Sequence, residues 1–135
     1  MAYRAPELIK GIITRLNAVS AVTDIVGTRI YTNVPDNAIF PYITVRLSAT
    51  DNSTKDATRF IYTIGVQSYS TSPSQKETHD IHQALHDALA RQESNITLDA
   101  GEIVRIDLDS TVGVVKDPDG VTWLQVSSFD VSVDN

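Results

Sequence analysis

Apolar residues recur at helical spacing at the start of the chain. Pro6 suits the first turn of a helix, where its missing N–H has no partner to lose. From Leu8 to Leu16 the apolar positions lie three and four residues apart, which predicts an amphipathic helix. A second, shorter helix is predicted from Ala21 to Val26, with Ser20 as its N-cap and Gly27 as its left-handed stop.

The pattern then changes to the alternation that is typical of strands. A short strand is predicted from Arg29 to Thr32, and clean alternation from Tyr42 to Ala49 predicts a longer one. The polar residues of Thr50 to Thr58 predict an exposed hairpin loop. Apolar residues at every second position from Phe60 onwards predict a further strand that ends near Ser70.

A second long helix is predicted in the middle of the chain. Ser74 and Glu77 have the spacing of a capping box, and the helical pattern runs to about Gln92. The segment from Asn95 to Leu98 fits a short strand or a connector. The apolar stripe of this helix consists of Ile81, Ala84, Leu85, Ala88 and Leu89.

The last part of the chain predicts a β-hairpin. Glu102 to Lys116 is rich in strand-forming residues, and Gly113 divides it into two strands or bends a single one. Lys116 to Gly120 reads Lys-Asp-Pro-Asp-Gly, a strong turn signal before a final strand from Val121 to Val133. The apolar parity of that strand changes near Ser127 and Ser128, which predicts a bulge or a strand covered on both sides.

These elements predict an α+β fold in the order ααββαββ. The sheet is antiparallel or mixed, has about four to five strands, and carries the two main helices on one face. No repeat or linker interrupts the pattern. We therefore expect residues 1–135 to form a single domain.

Composition and charge argue against several classes of function. The formal net charge is −6 and the isoelectric point is about 4.8, which argues against the basic surface of a protein that grips nucleic acid. The absence of cysteine excludes disulfides and thiol chemistry and is compatible with a reducing cytoplasm. We expect no secretion signal and no membrane-spanning segment, because no basic region precedes an apolar stretch and no apolar run reaches about 18 residues.

The three histidines are the first candidate for site chemistry. His79, His82 and His86 form one stripe on the second long helix, and imidazole is a common metal ligand. The stripe lies at the border of the apolar face, however, and spans two helical turns, too far for one ion. We therefore expect these side chains to cover the seam between helix and sheet, with no bound metal.

Paired carboxylates are the second candidate. Asp107 and Asp109 point to one face of a strand and could bind a cation or act in acid–base chemistry. Asp117 and Asp119 flank Pro118, as is common in turns. A solvated negative surface explains both pairs better than catalysis does.

Signatures of other sites are missing. The chain has no Gly-x-Ser-x-Gly nucleophile motif, no Gly-x-Gly-x-x-Gly motif and no phosphate-binding loop. Trp123 and the tyrosines alternate with other residues in predicted strands, which favours core or interface packing over base stacking. We expect no catalytic residue, no cofactor and no metal, so the chain is not predicted to be an enzyme.

Several short segments form a recognisable set together with the order of elements. They are Leu8 to Leu16, Val26-Gly27-Thr28-Arg29-Ile30-Tyr31, Val34-Pro35, Phe40-Pro41-Tyr42-Ile43-Thr44-Val45, Tyr62 to Ser70 and Ala84 to Leu89. These segments resemble the tail terminator or tail-completion family of long-tailed phages, whose related rings occur in gene transfer agents. The resemblance extends from about Leu8 to Val133.

The resemblance implies a homo-oligomeric ring, of six copies, at the head-proximal end of the tail tube. Such a ring stops tube polymerisation and contacts the tail tube protein and the head connector or stopper protein. It would be assembled in the host cytoplasm and end in the virion tail. Six copies at −6 carry 6 × −6 = −36, so DNA would pass without specific binding. The candidate residues for an acidic lumen or ring face are Asp51, Asp56, Asp107, Asp109, Asp117 and Asp119.

Other functions stay open at this point. Another head–tail adaptor or a tail tube subunit would have a similar pattern. An enzyme or metal-dependent module has little support, and a domain that binds a small ligand shows no distinctive sequence pattern.

Overall fold

The computed structural model describes residues 5–51, 59–96, 98, 102–116 and 118–134. Helices and strands alternate in blocks along the chain. Their bounds are α1 Ala5–Ala18, α2 Ser20–Val26, β1 Ile30–Tyr31, β2 Tyr42–Asp51, β3 Arg59–Ser70, α3 Lys76–Leu89, a 3₁₀ turn Glu93–Asn95, β4 Glu102–Lys116 and β5 Trp123–Asp134. No helix in these ranges is long and apolar enough to cross a bilayer.

The described strands form a mixed five-stranded sheet in the order β1-β2-β3-β5-β4. β1 is parallel to β2, and every other pair is antiparallel. The predicted α+β class is confirmed. The short strand predicted from Arg29 to Thr32 is the two-residue β1. With β1 counted, three strands precede α3, one more than the predicted order ααββαββ has there. β1 and β4 lie at opposite edges of the sheet.

All three helices share one core with the sheet. α1 packs against β2, while α3 packs against β3, β4 and β5. Alternate residues of β3, from Tyr62 to Ser70, and of β5, from Gln125 to Val133, are buried on this side, here called the helical face. The largest fully buried side chains are Tyr62, Phe129, Leu8, Ile12, Leu16, Ile43, Ile64, Ile81, Leu85, Leu89, Ile106 and Val22.

The two predicted helix caps are wrong. α2 begins at Ser20 itself, and the preceding Val19 forms no side-chain cap. α3 begins at Lys76, and the Glu77 carboxylate accepts a hydrogen bond of 2.6 Å from the Ser70 hydroxyl at the end of β3. Glu77 therefore binds the sheet and does not form a capping box with Ser74. The Ser74 hydroxyl accepts a hydrogen bond of 3.4 Å from the Lys76 N–H.

Gly27 ends α2 as predicted, with φ +61°, and its N–H donates to the Thr23 carbonyl at 2.8 Å. α3 ends at Leu89, earlier than the predicted Gln92. There Arg91 takes φ +58°, and its N–H donates to the Ile106 carbonyl of β4 at 2.9 Å.

The outer edge of β4 is covered at this point by the turn after α3. The Ile106 N–H also donates to the Glu93 carboxylate at 3.3 Å. Burial opposes ionisation of Glu93, but backbone N–H groups and the Arg91 guanidinium outweigh it and lower the pKa of Glu93. Both backbone groups of Ile106 are thereby satisfied, which blocks strand addition at this position. The segment predicted as a short strand or a connector is thus partly the 3₁₀ turn, followed by buried Ile96 and Leu98.

The predicted change of face in β5 is wrong. β3 and β5 pair without a register shift from Arg59↔Asp134 to Ser70↔Trp123. The polar residues Gln125 and Ser127 simply continue the helical face of Phe129. The irregularity lies in β4, whose register shifts opposite Phe129 and Ser128 and again between Val112 and Val115, around Gly113. β4 is therefore one irregular strand.

Candidate interaction surface

The helices cover one face of the sheet, and the other face, here called the open face, carries the alternate residues. It includes Thr63 to Tyr69 at odd positions of β3 and Leu124 to Ser132 at even positions of β5. Most of these side chains are half-buried rather than buried. The two ends of the open face differ in chemistry.

One end of the open face carries a continuous apolar row across four strands. Tyr42 of β2 is the cross-strand partner of Tyr69, Tyr69 is the partner of Leu124, and Leu124 is the partner of Val115. These four residues are here called the apolar row. Since neighbouring strands lie about 4.8 Å apart, the row is about 14 Å long. The Tyr42 and Tyr69 rings stack with centroids 4.8 Å apart.

Two further aromatic rings extend the apolar row beyond β2. The Tyr31 ring lies 5.9 Å from Tyr42, and the Phe40 ring lies 5.1 Å from it. The loop between β1 and β2 is held against this cluster, because the Arg29 guanidinium donates to the Pro41 carbonyl at 2.9 Å. The loop thus continues the apolar surface to the β1 edge.

The β4–β5 hairpin follows the Val115 end of the apolar row. The Lys116 ammonium lies over the Trp123 ring, 4.9 Å from its centroid. The Asp119 carboxylate stabilises the hairpin. It accepts a hydrogen bond of 2.6 Å from the Thr122 hydroxyl. It also accepts bonds of 2.8 and 2.9 Å from the backbone N–H groups of Val121 and Thr122. These bonds lower the pKa of Asp119. The predicted turn is confirmed, with Gly120 at φ +75°.

The opposite end of the open face is polar. The Thr63 hydroxyl donates to the Asp130 carboxylate at 2.9 Å. Asp107 lies directly opposite Asp130 in the neighbouring strand, and Arg105 forms an ion pair with Asp107. Two like charges directly across a ladder destabilise a sheet, so the arginine and the hydroxyl offset that repulsion.

The structure separates the four candidate aspartates that lie among the described residues rather than gathering them. Asp51 ends β2 at the β2–β3 hairpin, whereas Asp119 lies in the β4–β5 hairpin at the other end of the sheet. Asp107 lies between them on the open face, and Asp109 falls at the irregularity of β4. Asp56 and Asp117 lie outside the described residues. Their assignment to a lumen or ring face stays a prediction.

The apolar row was missed in the sequence, although a signal for it exists. Tyr42 and Tyr69 stand at positions of the opposite parity to the core residues of their own strands, as Leu124 does in β5. Large apolar residues on the nominally polar side of three strands indicate a face that is not simply solvated. Asp130 was also missed, because only the strand pairing brings it next to Asp107.

The three histidines have three different surroundings. His82 is half-buried at the seam, and its Nδ1 lies 2.8 Å from the Ser127 hydroxyl of β5. His86 Nδ1 lies 3.6 Å from the Asp87 carboxylate, and His79 is exposed. Within the described ranges, no group of three metal-ligating side chains is placed to hold an ion.

His82 makes the stability of the protein depend on pH. Burial, and then the neighbouring His86 and His79, lower the pKa of His82 below its ordinary value of 6.5. The unfolded chain therefore binds more protons than the folded chain just below pH 6.5. The stability contributed by neutral His82 is full above pH 6.5 and is lost as pH falls through the lower pKa of the folded state.

We expect the urea midpoint to fall between pH 7.5 and 5.5 for the unmodified chain, and to fall less for His82→Gln, which cannot titrate. His79→Gln, on the exposed side of the same helix, is the control; it removes only the smallest of the three causes of the lowered pKa of His82 and should keep most of the loss. Equal pH dependence in all three proteins would contradict this role of His82.

Open pockets occur on the helical layer. One of about 200 Å³ lies beside α1 and is lined by Lys10, Thr14 and Asn95, among others. Another, of about 370 Å³, is lined by Asp24 and by the exposed ion pair of Lys76 with Asp80, 2.8 Å apart. Most of the residues that line both pockets are charged or polar, whereas small-molecule sites are lined mainly by hydrophobic and aromatic residues.

Comparison with known proteins agrees with the fold. No curated protein sequence matches the chain. A chain from a solved structure, described as the virion of a native gene transfer agent (GTA) particle, superposes with a TM-score of 0.85 at 17% sequence identity. That match covers 99% of this chain and 100% of the other. The sequence profile of the family described as tail completion protein gp17 matches residues 10–134. Because the match covers nearly the whole sequence, this chain belongs to the tail completion protein gp17 family.

Proposed function

We propose that this protein forms a ring that caps the head-proximal end of a phage tail tube, stops tube polymerisation and joins the tail to the head connector. Family membership supports the coarser part of this proposal, a structural and non-catalytic role in a virion tail. The similarity to a chain of a gene transfer agent particle supports the fold on which the proposal rests. Assembly in the host cytoplasm is part of the same proposal.

The observation that carries the ring is the difference between the two edges of the sheet. One edge ends in the two-residue β1, and the other in β4, which has 15 residues. A closed ring requires two different, complementary surfaces on each copy, because the contact between neighbours is head-to-tail. A sheet with unlike edges offers such a pair, and the part of β4 beyond Ile106 offers backbone groups for pairing.

We also propose an acidic lumen or ring face. Six copies carry 6 × −6 = −36, and like charge keeps DNA phosphates from adhering. Replacing the candidate aspartates by lysine should then slow DNA passage and lower infectivity. Unchanged infectivity after charge reversal at all six positions would exclude them as the lumen. The residues to change are Asp51, Asp56, Asp107, Asp109, Asp117 and Asp119.

The second candidate is another part of the same machinery, a head–tail adaptor or a tail tube subunit. The family match favours it over unrelated functions, since it points to the tail without specifying the position in it. A tube subunit polymerises into long cylinders, whereas a terminator stays as discrete rings until it meets a tube.

Light scattering and negative-stain imaging, with and without purified tail tubes, distinguish these functions. We expect rings of six 14.8 kDa chains, about 89 kDa, bound to one end of each tube. The tubes should stop elongating once the ring is bound. Long cylinders of the protein alone would indicate a tube subunit. Failure to bind tube ends would contradict the terminator function.

A further inference from the structure

The exposed large hydrophobic side chains of the described residues form two groups on opposite edges of the sheet. Val34 and Ile39, 36% and 67% exposed, lie in the loop between β1 and β2. Val115 and Val121, 48% and 57% exposed, lie at the end of β4 and in the β4–β5 hairpin. We name them the loop patch and the hairpin patch. Because β1 and β2 lie at one side of the strand order and β4 at the other, the two patches lie at opposite edges of the sheet.

The two patches lie at the same level of the sheet. Ile39 is three residues before Tyr42, which begins the apolar row, and Val115 ends that row. The row connects the patches along the open face over about 14 Å. Copies placed side by side in one plane would therefore bring the loop patch of one against the hairpin patch of the next.

The charged residues of the two patches allow one opposite pair. Asp36 is the one charged residue between Thr32 and Pro41, and it is exposed. The hairpin sequence holds Lys116, Asp117 and Asp119. Lys116 is exposed and lies over the Trp123 ring, and the Asp119 carboxylate accepts hydrogen bonds from Val121 and Thr122 within the hairpin. A contact between two loop patches would place Asp36 against Asp36 and would be unfavourable. The pair of Asp36 with Lys116 is open only to a loop patch against a hairpin patch.

We propose that the loop patch of one copy packs on the hairpin patch of a second copy of this chain, with Asp36 facing Lys116. The contact joins different surfaces, so it repeats from copy to copy and can close a ring. Copies that each carry a net charge of −6 repel one another, and the burial of apolar side chains at this contact offsets that repulsion. This inference rests on the proposed ring and identifies the surfaces that build it.

Disulfide cross-linking tests the pairing directly, because the natural chain has no cysteine. The double variant Ile39→Cys with Val121→Cys is expected to form a ladder of oligomers under oxidising conditions, up to a covalently closed ring. Each single variant alone should remain uncross-linked, and a mixture of the two single variants should stop at dimers. The control is Lys10→Cys with Asp87→Cys, two exposed positions on the helical layer that should give no ladder.

Charge exchange tests the orientation of the same contact. Asp36→Lys and Lys116→Asp should each weaken assembly, roughly two- to fivefold for an exposed ion pair. The double variant should recover the original assembly, because it restores opposite charges across the contact. Thermal melting checks that each variant folds, as expected for exposed positions.

The outcomes separate the inference from the proposed function. Rings without a ladder would show that neighbours meet through other surfaces, so this pairing would be wrong and the ring function would stand. Dimers of either single variant would show a symmetric contact and also overturn the pairing. Absence of both rings and ladder, with tubes present, would contradict both proposals.

Discussion

Phe129→Ala is expected to lower the free energy of unfolding by about 3–5 kcal/mol, the range for truncating a large buried aromatic side chain. Phe129 is 1% exposed and lies at the centre of the helical face. It is next to Ile64 across the β3–β5 pair and Leu108 across the β4–β5 pair. The substitution removes the buried apolar area of the ring and leaves a cavity that neighbouring strands cannot close without shifting.

Phe40→Ala is the matched control for this prediction. The Phe40 side chain is half-buried in the loop before β2, and its ring contacts Tyr42 rather than the core. We expect a loss of about 1 kcal/mol there, since only part of the ring is removed from water. Urea unfolding followed by circular dichroism measures both. Equal losses in the two variants would contradict the assignment of the core to the helical face.

Thr78→Val is expected to raise the free energy of unfolding by about 1 kcal/mol or more. Thr78 belongs to the first turn of α3, and its side chain is fully buried. Its hydroxyl has no hydrogen-bond partner among the described residues. Leaving a buried polar group unpaired costs about 1–3 kcal/mol, and valine has the same shape without that group. The gain arises from removing a desolvated hydroxyl rather than from adding contacts.

Thr14→Val tests whether this gain belongs to the buried position. Thr14 is exposed on α1, and its hydroxyl donates to the Lys10 carbonyl at 2.9 Å. Valine in that place loses a hydrogen bond and gains no burial, so we expect no increase in stability. Denaturant unfolding of the two variants gives the comparison. A stabilised Thr14→Val would show that the gain does not depend on the buried position. An unchanged Thr78→Val would show that the buried hydroxyl costs the fold nothing.

The helical face was predictable because local periodicity reports burial. In β3, apolar residues stand at every second position through Tyr62, Ile64 and Val66, and all three are buried. In α3, the predicted apolar stripe is the buried face. The predicted caps at Ser20 and Ser74 are wrong. For Ser74 the reason is a tertiary contact. A cap competes with tertiary partners, and the hydrogen bond from Ser70 to Glu77 links residues that the sequence pattern does not relate.

The candidate site was less predictable than the fold. Asp107 and Asp109 were paired by their spacing along one strand. Asp107 shows the limit of this reasoning, since its cross-strand partner is Asp130 of β5. Spacing along one strand does not report which residue lies opposite on the next.

Local sequence was enough to determine the helices, the strands, the side of the sheet that is buried and the net negative charge. Each of these depends on residues close together in the chain. The strand order β1-β2-β3-β5-β4 decided which residues of different strands lie side by side. It aligned Tyr42, Tyr69, Leu124 and Val115 in one row and put the loop and hairpin patches on opposite edges, because hydrogen-bonded strands bring together residues that are distant in sequence.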